Sequence, residues 1–246
     1  MRTLVLRSLS HYWRSNAAVV MGVATAVAVL AGALVVGESV RESLRRIALR
    51  QLGRTEEVVR GSRFFGEGLA ERLGGGAPTA PLVALTGVVT HQASGRRAGD
   101  VAVYGVDERF WTFHGAASPA ALEGRDALVG ATLAAELESA LGDTLLVRLP
   151  PAADIPGSSL FGRRDAPGLS LRVSVRGTLA ADALGEFSLR PRQRPVSAVF
   201  VPMAFLQMEL GLEARVNAVL LGRRTAAPPL AEAVSLEDLG LRLRAD

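Results

Sequence analysis

The chain has 246 residues, of which 49% are hydrophobic but only 5% aromatic, so any core must be assembled from many small aliphatic contacts in one large or two modest domains. All 28 basic residues are arginine, which lifts the isoelectric point to 10.7 although the net charge is only +4; beyond Glu38, 25 arginines face 23 acids, a near-neutral balance that argues against nucleic-acid binding. The absence of cysteine excludes disulfides, thiolate metal sites and cysteine nucleophiles, and the absence of lysine excludes a P-loop ATPase within this chain.

The first 16 residues place Leu6, Leu9 and Trp13, or Val5, Leu9 and Tyr12, on one helical face, as in a short amphipathic segment lying at a membrane surface. From Ala17 to Gly37 follow 21 residues without a charge, about 31 Å of helix, enough to cross the hydrocarbon core once. Tyr12, Trp13 and Arg14 stand where headgroup anchors belong. A cleaved signal peptide ending near Ala31-Gly32-Ala33 is the competing reading, but the apolar run is longer than such a peptide's core and continues past that site. The flanking arginines do not set the orientation, because five follow the span within residues 41–54 and three precede it. Val40, Leu44, Ile47 and Leu52 then recur at helical spacing up to Gly53, so residues 38–53 read as a stalk continuing the membrane helix, unless Ser39 and Glu42 form a capping box and restart it.

From residue 54 to 224 the pattern is mixed. Strands are expected at Glu57–Arg60, Leu82–His91 and Val101–Val106, the last two joined as a hairpin through residues 93–99, with residues 74–81 as a loop. A helix from Thr132 to Leu141, closed by Gly142, leads to a strand at Thr144–Leu149, and a long Pro/Gly loop covers Pro150–Gly168. The alternation of Leu169–Leu179 marks a half-exposed strand; Val196–Val201, a helix at Met203–Leu210 and a strand at Arg215–Leu221 complete an α+β domain. Residues 225–229 are a second linker, and residues 225–246 as a whole read as that linker plus the start of an element cut short, with Ser235–Arg244 carrying no stop signal.

No constellation of catalytic residues emerges. His11, His91 and His114 lie in separate segments without metal-ligand spacing, and Ser158 and Ser159 sit in the long loop without a nucleophile elbow. The carboxylate pairs Glu56/Glu57, Glu136/Glu138 and Glu237/Asp238 diverge on their elements and read as solvated faces, and the glycines at 74–76 lack a phosphate-binding context. No catalytic, cofactor or metal site is therefore expected, and the chain does not read as an enzyme.

Three motifs in order carry a family resemblance: GESVRESL at 37–44 leaving the apolar helix, LAAELESALGDTLLVRL at 133–149 with its "GD" turn, and AVFVPMAFLQ at 198–207 followed by ARVNAVLL at 214–221. Together they resemble FtsX-like and MacB-like ABC transporter permeases over nearly the whole chain. The resemblance implies a cytoplasmic N-terminus, a first transmembrane helix in the inner or plasma membrane, and an extracytoplasmic α+β core. It also implies a separate ABC ATPase subunit and a second permease copy as partners, besides the bilayer and an unassigned transported substrate. Such permeases carry three further transmembrane helices, so the resemblance makes this chain a fragment. The alternatives are a membrane-anchored binding or adaptor module without transport activity, and an exported enzyme.

Overall fold

The computed structural model describes residues 11–117, 121–150, 168–190, 194–223, 230–235 and 238. The first ten residues, most of the 150–168 loop, the 225–229 linker and most of the 235–244 element therefore lie outside the described residues. The chain divides into two compact units, residues 1–47 and 48–246.

One helix, α1, runs without interruption from Trp13 to Leu52. The capping-box alternative at Ser39 does not occur: Glu38 pairs with Arg41 and Glu42 with Arg46, each at 3.0 Å, as i,i+3 and i,i+4 pairs along a continuing helix. Its apolar stretch is solvent-facing throughout, with a mean hydropathy of 2.6. An unshielded run of Val, Leu and Met of this length requires an apolar surrounding. Gly53, at φ +59°, ends the helix at the expected residue, its amide bonding back to Arg50.

Among the described residues, the second unit contains eight strands: β1 (Glu57–Gly66), β2 (Thr79–His91), β3 (Arg97–Val106), β4 (Asp126–Gly130), β5 (Thr144–Leu149), β6 (Leu169–Leu179), β7 (Ala198–Pro202) and β8 (Arg215–Leu221). Five short helices accompany them: α2 (Leu69–Gly74), α3 (Glu108–His114), α4 (Ala131–Leu137), α5 (Met203–Leu210) and α6 (Leu230–Ala233). The strand order is β1-β8-β2-β3-β7-β4-β6-β5, and a further pairing of β5 with β2 closes the last six into a ring of mixed parallel and antiparallel strands. Closure removes the unpaired edges of an open sheet. Alternating residues of the six ring strands, among them Val101/Val103, Val173/Val175 and Val199/Val201, pack into one cluster that forms the barrel interior. The intervening residues Ala198 and Phe200, with Tyr104, Phe110 and Phe187, form a second, aromatic cluster outside it.

β2 is the strand on which both parts depend. One of its edges pairs with β3, whereas the other pairs with β8 over Thr79–Leu82 and with β5 over Val88–His91. At the handover Ala84 has no strand residue opposite, and the Asn217 amide takes that place: its Oδ1 accepts from the Ala84 N–H at 2.7 Å and its Nδ2 donates to the Ala84 carbonyl at 2.9 Å. At Gly87, beside a bulge in the β2–β3 register, a Cβ would lie 2.5 Å from the Arg148 carbonyl oxygen, so only glycine admits β5 at this distance.

Several expectations need correction. β1 continues six residues past Arg60, and β2 begins at Thr79, inside the stretch expected as loop, because β8 pairs with both segments. Helix α4 ends at Leu137 with Glu138 in the left-handed region at φ +51°, not at Gly142. Gly142 instead donates to the Val175 carbonyl, and the Asp143 carboxylate accepts from the Ala140 amide at 2.7 Å, making a turn into β5. α2, α3 and β4 were not expected from the periodicity; each is five to seven residues long, too short for a periodic signal. Asp238 is not on a solvated face: it is buried, accepts from the Ser235 amide and hydroxyl at 2.8 Å each, and pairs with Arg72, which also donates to the Ala233 carbonyl at 2.8 Å. Burial raises the Asp238 pKa, but these hydrogen bonds and the Arg72 charge outweigh it and hold the carboxyl below its ordinary value.

Replacing Asn217 by alanine strands a buried N–H and a buried C=O on Ala84, and is expected to cost about 3 kcal/mol of unfolding free energy. Denaturant unfolding of Asn217→Ala against wild type checks this; a loss below about 0.5 kcal/mol would show that the handover does not need the amide.

Candidate functional site

The residues that follow α1 lock its last turn into the second unit. Gln51 is 3% exposed, and its carbonyl accepts from the Ser188 amide at 3.0 Å. The Glu56 amide then donates to the Leu221 carbonyl at 3.1 Å and starts the β1–β8 ladder. Between these points, the Arg54 amide donates to Nδ1 of His114 at 3.2 Å. A Cβ on Gly53 would fall 2.7 Å from the same nitrogen, so glycine serves here both for its positive φ and for the close approach of the imidazole.

His114 closes α3, whose N-cap Asp107 accepts from the Arg109 amide at 2.9 Å and whose C-cap is Gly115 at φ +70°. Its ring stands edge-on to Phe110, Phe187 and Phe113, with centroids 4.7, 5.3 and 5.0 Å away. Because Arg54 N–H can only donate, Nδ1 must hold its lone pair there and the proton sits on Nε2, which is buried without a hydrogen-bond partner among the described residues. Burial, reinforced by the Arg54 charge, lowers the His114 pKa to about 4. The helix terminus thus rests on a neutral imidazole in an aromatic nest. His114 was expected only as a residue without metal-ligand spacing; the local signal for its burial is ERFWTFH bracketed by Asp107 and Gly115, a capped helix of about two turns with aromatic residues at three positions.

His91 lies at the end of β2 between Ser94 Oγ, 2.7 Å from Nδ1, and Asp143 Oδ2, 3.3 Å from Nε2. The three groups share the membership of a hydrolytic triad but reverse its ring nitrogens, with serine on Nδ1 and the carboxylate on Nε2. Asp143 is already held by the Ala140 amide, Ser94 lies three residues along the same hairpin, and Nε2 makes no hydrogen bond among the described residues, so the three groups are neighbours and not a triad. The other carboxylates considered are dispersed: Glu56 faces Arg223 at 3.5 Å, Glu136 accepts from Ser197 at 3.2 Å and Glu138 pairs with Arg96 at 2.7 Å. His11 is exposed at the start of the chain's described part, and Ser158 and Ser159 lie outside the described residues. Among the described residues no three His, Asp or Glu side chains gather into a metal-binding group.

A helix long and apolar enough to cross a membrane leads into an α+β domain, and the family-level match agrees with a membrane-anchored extracytoplasmic domain. Residues 17–235 match the MacB-like periplasmic core domain, and the chain belongs to that family, a domain of ABC transporter permeases. Among solved structures it is similar to the extracellular domain of the noncanonic ABC-type transporter YknZ from Gram-positive bacteria, at 12% identity over 66% of this chain and 75% of that one, with a TM-score of 0.39. It is also similar to the periplasmic region of MacB from Actinobacillus actinomycetemcomitans, at 12% identity over 75% of this chain and 82% of that one, with a TM-score of 0.43. Among curated proteins, none matches this chain in sequence.

The depressed His114 pKa sets a pH dependence. Above about pH 6.5 the imidazole is neutral in both the folded and unfolded states; as pH falls towards 4 the unfolded chain takes up the proton first, so stability is lost across that window, by at most about 3 kcal/mol. His114→Asn, which keeps an acceptor for Arg54 but cannot titrate, is expected to flatten the stability profile between pH 6.5 and 4 relative to wild type. Parallel profiles for the two proteins would show that His114 is not buried neutral.

Proposed function

We propose that this chain is the membrane-anchored extracytoplasmic part of an ABC transporter permease that works with a separate ATPase, its N-terminus on the cytoplasmic side. Residues 17–37 cross the bilayer in this reading, residues 38–53 form the stalk, and residues 54–224 are the extracytoplasmic core. ATP binding and hydrolysis belong to the partner, since the chain has no lysine for a P-loop. The single observation behind the mechanical role is the uninterrupted helix α1, whose final turn is held by Ser188, His114 and Leu221 through backbone groups on either side of Gly53. A helix without kink or break carries displacement along its axis, because each turn is fixed to the next by i→i−4 hydrogen bonds. Movement imposed by the ATPase at the cytoplasmic end then reaches the barrel through this terminus, and a second permease copy provides the opposing lever.

Proline in the middle of the lever removes one of those bonds and clashes with the preceding turn, at a cost of about 3 kcal/mol. Val40→Pro in the full-length protein with its ATPase is expected to abolish ATP-driven transport or signalling while the extracytoplasmic domain retains its thermal transition. Arg41→Ala, which removes only an exposed pair with Glu38, is expected to leave activity within about twofold of wild type. Normal activity in Val40→Pro would remove the lever from the mechanism.

A further inference from the structure

A cleft of about 320 Å³ opens between the outer surface of β2 and β3 and the segments 188–190 and 194–197. Three arginines line it: Arg60 from β1, Arg190 and Arg194. None of the three has an ion-pair partner among the described residues, in contrast to Arg41, Arg46, Arg72, Arg96 and Arg109, each paired with a carboxylate. Arg60 and Arg190 share the cleft wall, and partial burial with the like charge of Arg190 holds the Arg60 guanidinium below its ordinary pKa. Two carboxylates, Glu136 and Asp100, also line the cleft, so three guanidinium groups stand against two acids and the lining carries an excess positive charge.

Like charges that share a cleft are costly unless something neutralises them, and guanidinium groups match the planar or tetrahedral oxygens of carboxylate and phosphate. The rest of the wall is mixed, with the hydroxyls of Thr86, Thr132 and Ser197 on it and an apolar part formed by Ala84, Leu85, Leu189 and Val196 beside the buried Tyr104 ring. The volume is at the lower end for a small-molecule site, of a size for a head group and a short stem. We infer that this cleft binds a small organic anion, a carboxylate or phosphate ester, whose oxygens bridge Arg60 and Arg190 and whose short apolar part lies against Leu85 and Val196.

The cleft is also wired to the end of α1. Ser188 lines it, with its hydroxyl donating to the Arg190 carbonyl at 2.9 Å and accepting from the Arg190 amide at 3.1 Å, while its own amide donates to the Gln51 carbonyl. The next amide, of Leu189, donates to the Tyr104 hydroxyl at 3.3 Å. An anion drawn onto Arg190 tightens a three-residue segment that holds the helix terminus, so occupancy is felt at Gln51. This inference stands whether or not the chain acts in transport.

The test is titration of the full chain in phosphatidylcholine nanodiscs with butyl phosphate and with butyrate, followed by calorimetry. Saturable binding of both anions is expected, with no saturable binding of butanol and at least tenfold weaker binding of inorganic phosphate. Arg60→Gln/Arg190→Gln, two exposed positions whose change leaves the core intact, is expected to weaken anion binding at least tenfold, whereas Arg176→Gln, away from the cleft, leaves it unchanged. Hydrogen exchange at the Ser188 amide is expected to slow on binding. Absence of saturable anion binding, or equal binding by the double variant, overturns the site; inorganic phosphate binding as tightly as butyl phosphate overturns the apolar subsite; and unchanged exchange at Ser188 overturns the link to α1.

Discussion

A single strand, β2, belongs to two sheets, and everything in the second unit is arranged around the place where its outer edge changes partner. Backbone donors and acceptors at such a handover point away from any neighbouring strand, yet they are buried, and each left unpaired costs about 1–3 kcal/mol. The Asn217 side chain has the one donor and one acceptor, at peptide-like spacing, needed to stand in for the missing strand residue at Ala84. With that gap filled, β2 can pass at Gly87 from its pairing with β8 to its pairing with β5, and the six-stranded ring closes over its aliphatic interior.

Aliphatic and aromatic residues divide the labour on the two faces of the ring. Inside, Val, Leu and Ala fill the barrel in alternation along each strand; outside, aromatic residues gather where α3 packs on β2, joined by Tyr104 of β3 and Phe200 of β7. That aromatic cluster excludes water from His114 and so keeps it neutral, and a neutral imidazole is what can accept the Arg54 amide just after the α1 terminus. The attachment of the helix end therefore depends on the same small set of rings that stabilise the outer face. An ionised His114 would lose its acceptor nitrogen and place a charge among phenyl groups, beside an arginine.

Ser188 and His114 hold the stretch around Gly53 from two directions, the first through Gln51 and the second through Arg54. Ser188 is in turn one residue from the Tyr104 hydroxyl and two from the Arg190 guanidinium of the arginine-lined cleft. These connections run through hydrogen-bonded backbone rather than through long exposed side chains, so they are short, largely buried and stiff. In the transporter reading, the helix terminus becomes the point where force along the membrane helix and ligand occupancy in the outer domain meet.

The apolar helix, its continuation to Leu52, the Gly53 stop, the α+β class and the strands β5, β6 and β8 were legible in the sequence, because each has a period or a breaker that acts locally within its own segment. The family resemblance rested on the same local signals, the "GD" turn at Gly142-Asp143 and the Pro-started helix at Met203, both of which occupy the predicted places even though Gly142 serves a turn and not a helix cap. What no local pattern contains is which strand pairs with which. The closure of β5 onto β2, the need for an amide at Asn217, the burial of Asp238 against Arg72, the neutral His114 and the cleft shared by Arg60 and Arg190 all join residues far apart in the chain. Their roles come from long-range packing, where a side chain's neighbours, and hence its charge state and hydrogen bonds, are set by the fold as a whole.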